Sequence, residues 1–350
     1  MKRKMLAVTL ASALVAGVAV SGSVEAVGEG PNYGGNETIQ TSMLHTYDEM
    51  VDFLKKQDAK QDHMELEVIG QTVKGRDLYL VKYVSDESRP TVLFLTQQHG
   101  NEQLSTEGAL QFIKNLGANS KANREMLSNV NILIVPMLNA DGAMGDVNFP
   151  LDDYVATGRH LTRYNAVQAD LNRDHVAKVQ PETKALHDQV LKKYHIDYMI
   201  DLHHQGTRSE VDGELVSGSI LYPTNSGVDP AVVEKSKRLG SVVYHRIDSK
   251  GWGHIGKYVG GSELTIGRNG IAKEYGIATL LFEMRGMSDH YYESYVLGQK
   301  SNGYLIKQSV ETLTAATQAI ADGSIADADI SFWNHLPEQK NRPSNEEEGE

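Results

Sequence analysis

Residues 91–116 read TVLFLTQQHGNEQLSTEGALQFIKNL. Thr91 to Gln97 is a short apolar, β-branched run and reads as a buried strand; Ser105 to Leu116 carries Leu110, Phe112, Ile113 and Leu116 at helical spacing. The turn between them holds His99-Gly100-Asn101-Glu102. A strand that feeds a helix in this way belongs to an open α/β sheet, where ligands bind at the carboxyl edge of the strands. An H-x-x-E pair alone says little, because most such pairs are surface or capping residues.

Outward from this stretch, Tyr198 to Leu202 (YMIDL) is a second buried strand, ending at His203. His99, Glu102 and His203 can therefore meet at one sheet edge. Two imidazoles and one carboxylate leave a fourth position open, which is the arrangement of a hydrolytic zinc site. The chain has no cysteine, so any metal is held by His, Asp or Glu, a donor set that also suits iron and other divalent ions. Ala278 to Phe282 (ATLLF) is a third apolar strand, followed directly by Glu283. A lone charge there ordinarily marks a strand end meeting solvent. Beside three ligands, Glu283 becomes the candidate general base.

With these segments and Asn139-Ala140-Asp141-Gly142, Asp170-Leu171-Asn172-Arg173 and Phe282-Glu283-Met284-Arg285, all in order, the chain resembles the zinc metallocarboxypeptidases of the carboxypeptidase A type. The matching segments span roughly residues 60 to 320. The resemblance implies an α/β/α sandwich with a mixed, largely parallel eight-stranded sheet. It implies one Zn2+ ion on His99, Glu102 and His203, with Glu283 as general base and proton shuttle. It makes Asn172 and Arg173 the grip on the substrate's terminal carboxylate, and Asp170 the carboxylate that orients His99. The arginine that stabilises the oxyanion is matched by Arg163, with Arg159 as the other candidate. Tyr258 matches the tyrosine that closes over substrate, although its spacing to Gly260-Gly261-Ser262 departs from the usual motif. Arg268 falls at the base of the pocket for the leaving residue, where it would favour an acidic side chain. The expected partner is a peptide or protein with a free C-terminus.

The rest of the chain fits an exported protein. Lys2-Arg3-Lys4, the apolar run Met5 to Val20 and Val24-Glu25-Ala26 make residues 1–26 a secretory signal peptide. The run is shorter than the about 20 residues a membrane span takes, so no stable anchor is expected after cleavage and the localisation is extracellular. Residues 27–41 read as a flexible lead-in, 42–322 as the catalytic domain and 323–350 as an acidic, disordered tail. A formal net charge of −12 makes nucleic acid a poor partner. Helices are expected over Thr46 to Lys56, Pro181 to Tyr194, Pro230 to Tyr244 and Tyr291 to Ala321, and a hairpin over Leu66 to Val84. The stretch after His203 reads as a long loop, with His204 structural; His160, His254 and His290 have no ligand spacing.

Three other readings use the same residues. A cell-wall peptide amidase of the γ-glutamyl-diamino acid type would keep the metal and the base. A deacylase of N-acylated amino acids has less use for the Asn172-Arg173 grip. A catalytically inactive binding homologue has no need of Glu283.

Overall fold

The structure is a computed structural model and describes residues 44–118, 120–146, 148, 161–206, 209–286 and 302–341. Its strands are β1 (Glu65–Gln71), β2 (Asp77–Tyr83), β3 (Thr91–Thr96), β4 (Asn131–Val135), β5 (Tyr198–Gln205), β6 (Ser209–Val211), β7 (Glu214–Leu215), β8 (Gly218–Leu221), β9 (Ile255–Lys257), β10 (Ala278–Arg285) and β11 (Lys340–Asn341). Eight of them form one mixed sheet in the order β1-β2-β4-β3-β5-β10-β8-β9. The inner strands β4, β3, β5 and β10 run parallel, the β1–β2 hairpin flanks them antiparallel, and β8 returns antiparallel to β10. Strands β3, β4 and β10 are buried along their whole length, as parallel strands covered on both faces must be.

The helices are α1 (Tyr47–Asp58), α2 (Gln103–Leu116), α3 (Lys121–Leu127), α4 (Ala140–Ala143), α5 (Pro181–Leu186), α6 (Pro230–Asp248), α7 (Gly267–Tyr275) and α8 (Asn302–Ala321). Strand periodicity sorts the core into two layers. Val92, Phe94, Ile132, Ile134, Ile200, Leu202 and Phe282 pack with Leu54, Phe112, Val243 and Leu313 from α1, α2, α6 and α8. Leu93, Leu95, Leu133, Val135 and Met199 face the other way, against Leu186, Val190 and Ile271. This is the α/β/α sandwich that the resemblance implies. By the same alternation Asp201, His203, Glu283 and Arg285 project toward the second layer, and the register pairs Glu283 with His203.

Several sequence readings change. Strands β5 and β10 continue to Gln205 and Arg285, because each keeps a pairing neighbour, so His203 and Glu283 lie within strands rather than just past them. The expected long loop contains a β6–β7 hairpin, with positive φ of 52° at Asp212 and 83° at Gly213, the Asp-Gly signature of a tight turn. The tail reading fails for residues 323–341. Ile325, Trp333 and Leu336 are buried, Trp333 Nε1 donates to the Lys237 carbonyl at 2.9 Å, and β11 pairs with β6. A polar composition concealed three apolar anchors, one of them a large indole. The signal peptide, the lead-in, residues 342–350, Arg159, His160, His290 and the first part of the closing helix lie outside the described residues. Among the described residues, no helix is long and apolar enough to cross a membrane.

Candidate metal centre

Local backbone chemistry delivers the first two ligands. Gln97, at the end of β3, takes a left-handed φ of 53°, a conformation that disfavours an L side chain by about 1 kcal/mol. Its amide holds the turn, donating from Nε2 to the Gly100 carbonyl at 2.8 Å and accepting from the Thr106 hydroxyl. Gly100 then lies so close to a neighbouring segment that a Cβ would stand 2.2 Å from the Gly142 carbonyl carbon and 2.3 Å from the Thr162 oxygen. Only glycine allows that approach. Asn139 completes the junction, accepting from Gly142 N at 3.0 Å and donating to the Arg163 carbonyl at 3.0 Å. Asp141 reaches outward, accepting from Thr72 Oγ1, Lys74 N and Arg76 Nη1 at 2.7–2.9 Å. Glu102 sits at the N-cap of α2, where the helix dipole favours a negative charge.

His99, Glu102 and His203 bring one ligand atom each within 4.8 Å of one another, all buried. His99 Nε2 lies 3.2 Å from Asp170 Oδ1, and His203 Nε2 lies 3.0 Å from Asp201 Oδ1. A neutral imidazole carries one N–H, so donation from Nε2 leaves a lone pair on each Nδ1. Both lone pairs face Glu102, at 2.8 Å each, with the two Nδ1 atoms 3.1 Å apart. Such a set is repulsive unless a cation lies among its members. The chain's own Arg163 already leans on it, with Nη1 3.1 Å from His99 Nδ1 and 3.7 Å from Glu102 Oε1. Two imidazole nitrogens and a carboxylate, without thiolate, fit Zn2+.

Charges at the site follow from this crowding. Burial alone would push the Glu102 carboxyl up, but the adjoining His99 and His203 rings outweigh it and hold it well below the usual carboxylate range. Burial would likewise depress the His203 imidazole, yet Asp201 and Glu102 hold its pKa well above the ordinary value. The same two carboxylates attract a metal in the proton's place. Asp170, partly desolvated, is held low by His99 and then by Arg163, whose Nε and Nη2 donate to Oδ2 at 3.3 and 3.1 Å. Glu283 goes the other way. Burial raises its carboxyl to about 7, against the pull of His203, His99 and Arg163, and its Oε2 has no hydrogen-bond partner.

The other sequence candidates fall at varying distances from this cluster. The Asn172 side chain accepts from Gly267 N at 2.7 Å and lies 3.3 Å from His203 Nε2. Arg173 is exposed, its Nη1 turned onto the Asn172 carbonyl at 2.7 Å. Tyr258 follows β9, and the nearby Glu283 charge is the largest influence raising its phenol. Arg268 is 1% exposed at the start of α7, with Nη2 donating to Thr224 Oγ1 at 3.2 Å and to the Gly261 carbonyl, and Nε without a partner. Residues not singled out from the sequence also belong here. Asp201 supports His203 from two positions back on the same strand face, a spacing that was legible. Gln98 donates to both Asp201 oxygens at 2.8–2.9 Å and accepts from His175 at 2.7 Å, a contact across 77 positions that no local pattern announces.

Fold and site together define an α/β metalloprotein with a His-Glu-His centre at the carboxyl edge of its parallel strands. Comparison with known proteins agrees. The zinc carboxypeptidase (peptidase M14) family model matches residues 50–209. Carboxypeptidase D of Mus musculus is 28% identical over 168 residues, covering 45% of this chain and 12% of that protein. The zinc carboxypeptidase of Saccharothrix mutabilis subsp. capreolus is 31% identical over 113 residues, 29% of this chain and 26% of its own. The chain thus spans only a small part of these relatives' length. The crystal structure of a metallo-carboxypeptidase from Burkholderia cenocepacia shares the fold, with a TM-score of 0.61 at 18% identity over 80% of this chain and 70% of that one. Residues 50–209 are thus similar to the zinc metallocarboxypeptidases, and the chain shares the carboxypeptidase fold.

Proposed function

We propose that this chain is a secreted zinc carboxypeptidase that removes the last residue of peptides with a free C-terminus, using Glu283 as general base. The observation that carries this reading is the position of Glu283, paired in register with His203 on the adjoining parallel strand, with one buried carboxylate oxygen free. Raised to about 7, that carboxylate can take a proton near neutral pH and give it up again. A zinc ion on His99, Glu102 and His203 would act as a Lewis acid, acidifying water and polarising the scissile carbonyl.

The chain's own groups do the rest. Glu283 takes the proton of the attacking water and passes it to the leaving amine. Arg163, already at the rim of the ligand set, neutralises the oxyanion. Asn172 and the exposed Arg173 guanidinium bind the terminal carboxylate, as a planar fork beside an amide can. Asp170 fixes the His99 ring. Arg268 has no carboxylate within ion-pair distance among the described residues, and a buried unpaired cation is unfavourable. An acidic leaving side chain would supply the missing charge, and Tyr258, between Glu283 and Arg268 in its electrostatic influences, would close over it. The basic and apolar start of the chain supports export.

The test is mass spectrometry of a peptide panel varied in its last residue, with free and amidated C-termini and a muropeptide stem, exposed to wild type and Glu283→Gln. Loss of single residues from free-acid peptides, fastest for terminal Glu or Asp and absent in Glu283→Gln, is expected. Cleavage of the muropeptide alone makes the protein a cell-wall amidase. No cleavage of any substrate leaves a binding homologue.

A further inference from the structure

Behind His203 runs a chain of buried polar side chains that none of the roles above uses. Asp201 accepts from His203 Nε2 on one side and from the Gln98 amide on the other, at 2.9 Å to Oδ1 and 2.8 Å to Oδ2. Gln98 Oε1 lies 2.7 Å from His175 Nε2. His175 Nδ1 lies 3.1 Å from His187 Nε2, and His187 Nδ1 lies 2.8 Å from the Tyr275 hydroxyl. Gln98, His175, His187 and Asp201 are all buried, and Tyr275 is half-buried at the end of α7.

One fact fixes the protons from Gln98 to His187 Nε2. An ionised carboxylate only accepts, so both of its contacts to Gln98 come from the amide NH2, and the amide oxygen must face His175. His175 therefore donates from Nε2 and keeps a lone pair on Nδ1. That lone pair takes the N–H of His187 Nε2, which leaves His187 Nδ1 to accept from Tyr275. His175 must be neutral for the series to close, because its Nδ1 accepts; a neutral His187 then accepts from Tyr275. Burial, the largest influence on each, depresses His175 to about 4 and His187 to about 3. Every donor from Tyr275 to Gln98 thus points toward Asp201.

We infer that His175 is a positioning residue for the metal centre: through Gln98 and Asp201, it locks His203 in the tautomer whose Nδ1 lone pair faces His99 and Glu102. The inference rests on the metal-site reading but not on the peptidase reading. Without the His175 donor, Gln98 Oε1 loses its partner in a dry site and the amide can rotate, presenting its oxygen to Asp201 and loosening the carboxylate that holds His203. Because His187 and Tyr275 extend the series to the end of α7, whose second residue is Arg268, the same series ties the helix of the proposed specificity pocket to the second imidazole ligand.

The experiment uses the full chain in two measurements. In the first, the zinc dissociation constant is read by chelator competition for wild type, His175→Leu and His175→Gln, with no substrate present. Partners one shell from a ligand are worth about 10–100-fold in metal affinity, so two links further His175→Leu should lose about tenfold at most. His175→Gln, whose amide N–H reaches the place of Nε2–H, should recover most of that loss. In the second, 15N NMR of the wild-type histidines should show His175 and His187 both as neutral Nε2–H tautomers. Unchanged zinc affinity in His175→Leu, or an Nδ1–H tautomer on either ring, overturns the inference. If His175→Leu does not fold, the wild-type spectrum decides alone. A protein that binds zinc tightly yet cleaves no peptide would sink the peptidase reading and leave this one standing.

Discussion

His99 and His203 present the same ring atom to the metal centre, but what lies behind each ring differs. Behind His99 stands Asp170, 17% exposed and ion-paired with Arg163 at 3.1 Å. Behind His203 stands Asp201, fully buried and held by the neutral series Gln98, His175, His187 and Tyr275. The first support is ionic and partly exposed. The second is uncharged beyond its single carboxylate and is anchored between the sheet and the helices of the second layer. The difference suggests a division of labour, with the His99 side tuning charge during the reaction and the His203 side fixing geometry before it.

The largest effect that can break this comparison is expected at Arg163. Arg163→Ala should lower kcat/KM by about 10²–10³-fold, the usual worth of one oxyanion contact, while zinc stoichiometry holds. Its pH profile should move as well. As the proposed base, Glu283 would lose its function when pH falls through its pKa, and the Arg163 charge holds that pKa down against burial. Removing Arg163 should therefore shift the acid limb of kcat/KM to higher pH. An unmoved limb, or loss of zinc in place of rate, would place Arg163 in the metal scaffold instead.

A smaller effect sharpens the same contrast. Asp201→Asn should weaken zinc binding by about 100-fold, because an amide in a dry site can present its NH2 to His203 and favour the wrong tautomer. Asp170→Asn should lose only about tenfold, since solvent and the rest of its loop relax around the exposed side. Equal losses by chelator competition would show that burial of the support does not matter here.

Much of the fold was legible because apolar runs and loop residues alternate plainly from Thr91 to Leu116 and again around His203 and Glu283. Those short-range patterns also carry the three metal ligands, since His99 and Glu102 share one turn and His203 lies in register with Glu283 on the adjoining strand. The hairpin Ser209–Leu215 and the packing of residues 323–341 were hidden by polar composition, because three apolar anchors suffice to hold a strap whose other residues face water. The Gln98–His175–His187 series had no local signature at all. Its members meet only because the turn after β3, the segment before α5 and the turn at His187 that follows α5 come together in the fold.

The central claim is that three lone-pair donors converge to hold one zinc ion through the Nδ1 atoms of both imidazoles. Anomalous diffraction at the zinc edge from crystals of the zinc-loaded protein tests it most directly. The structure predicts a single peak about 2.1 Å from Nδ1 of His99, Nδ1 of His203 and the Glu102 carboxylate. Zinc bound through Nε2 of either ring, or held by another set of residues, would contradict it.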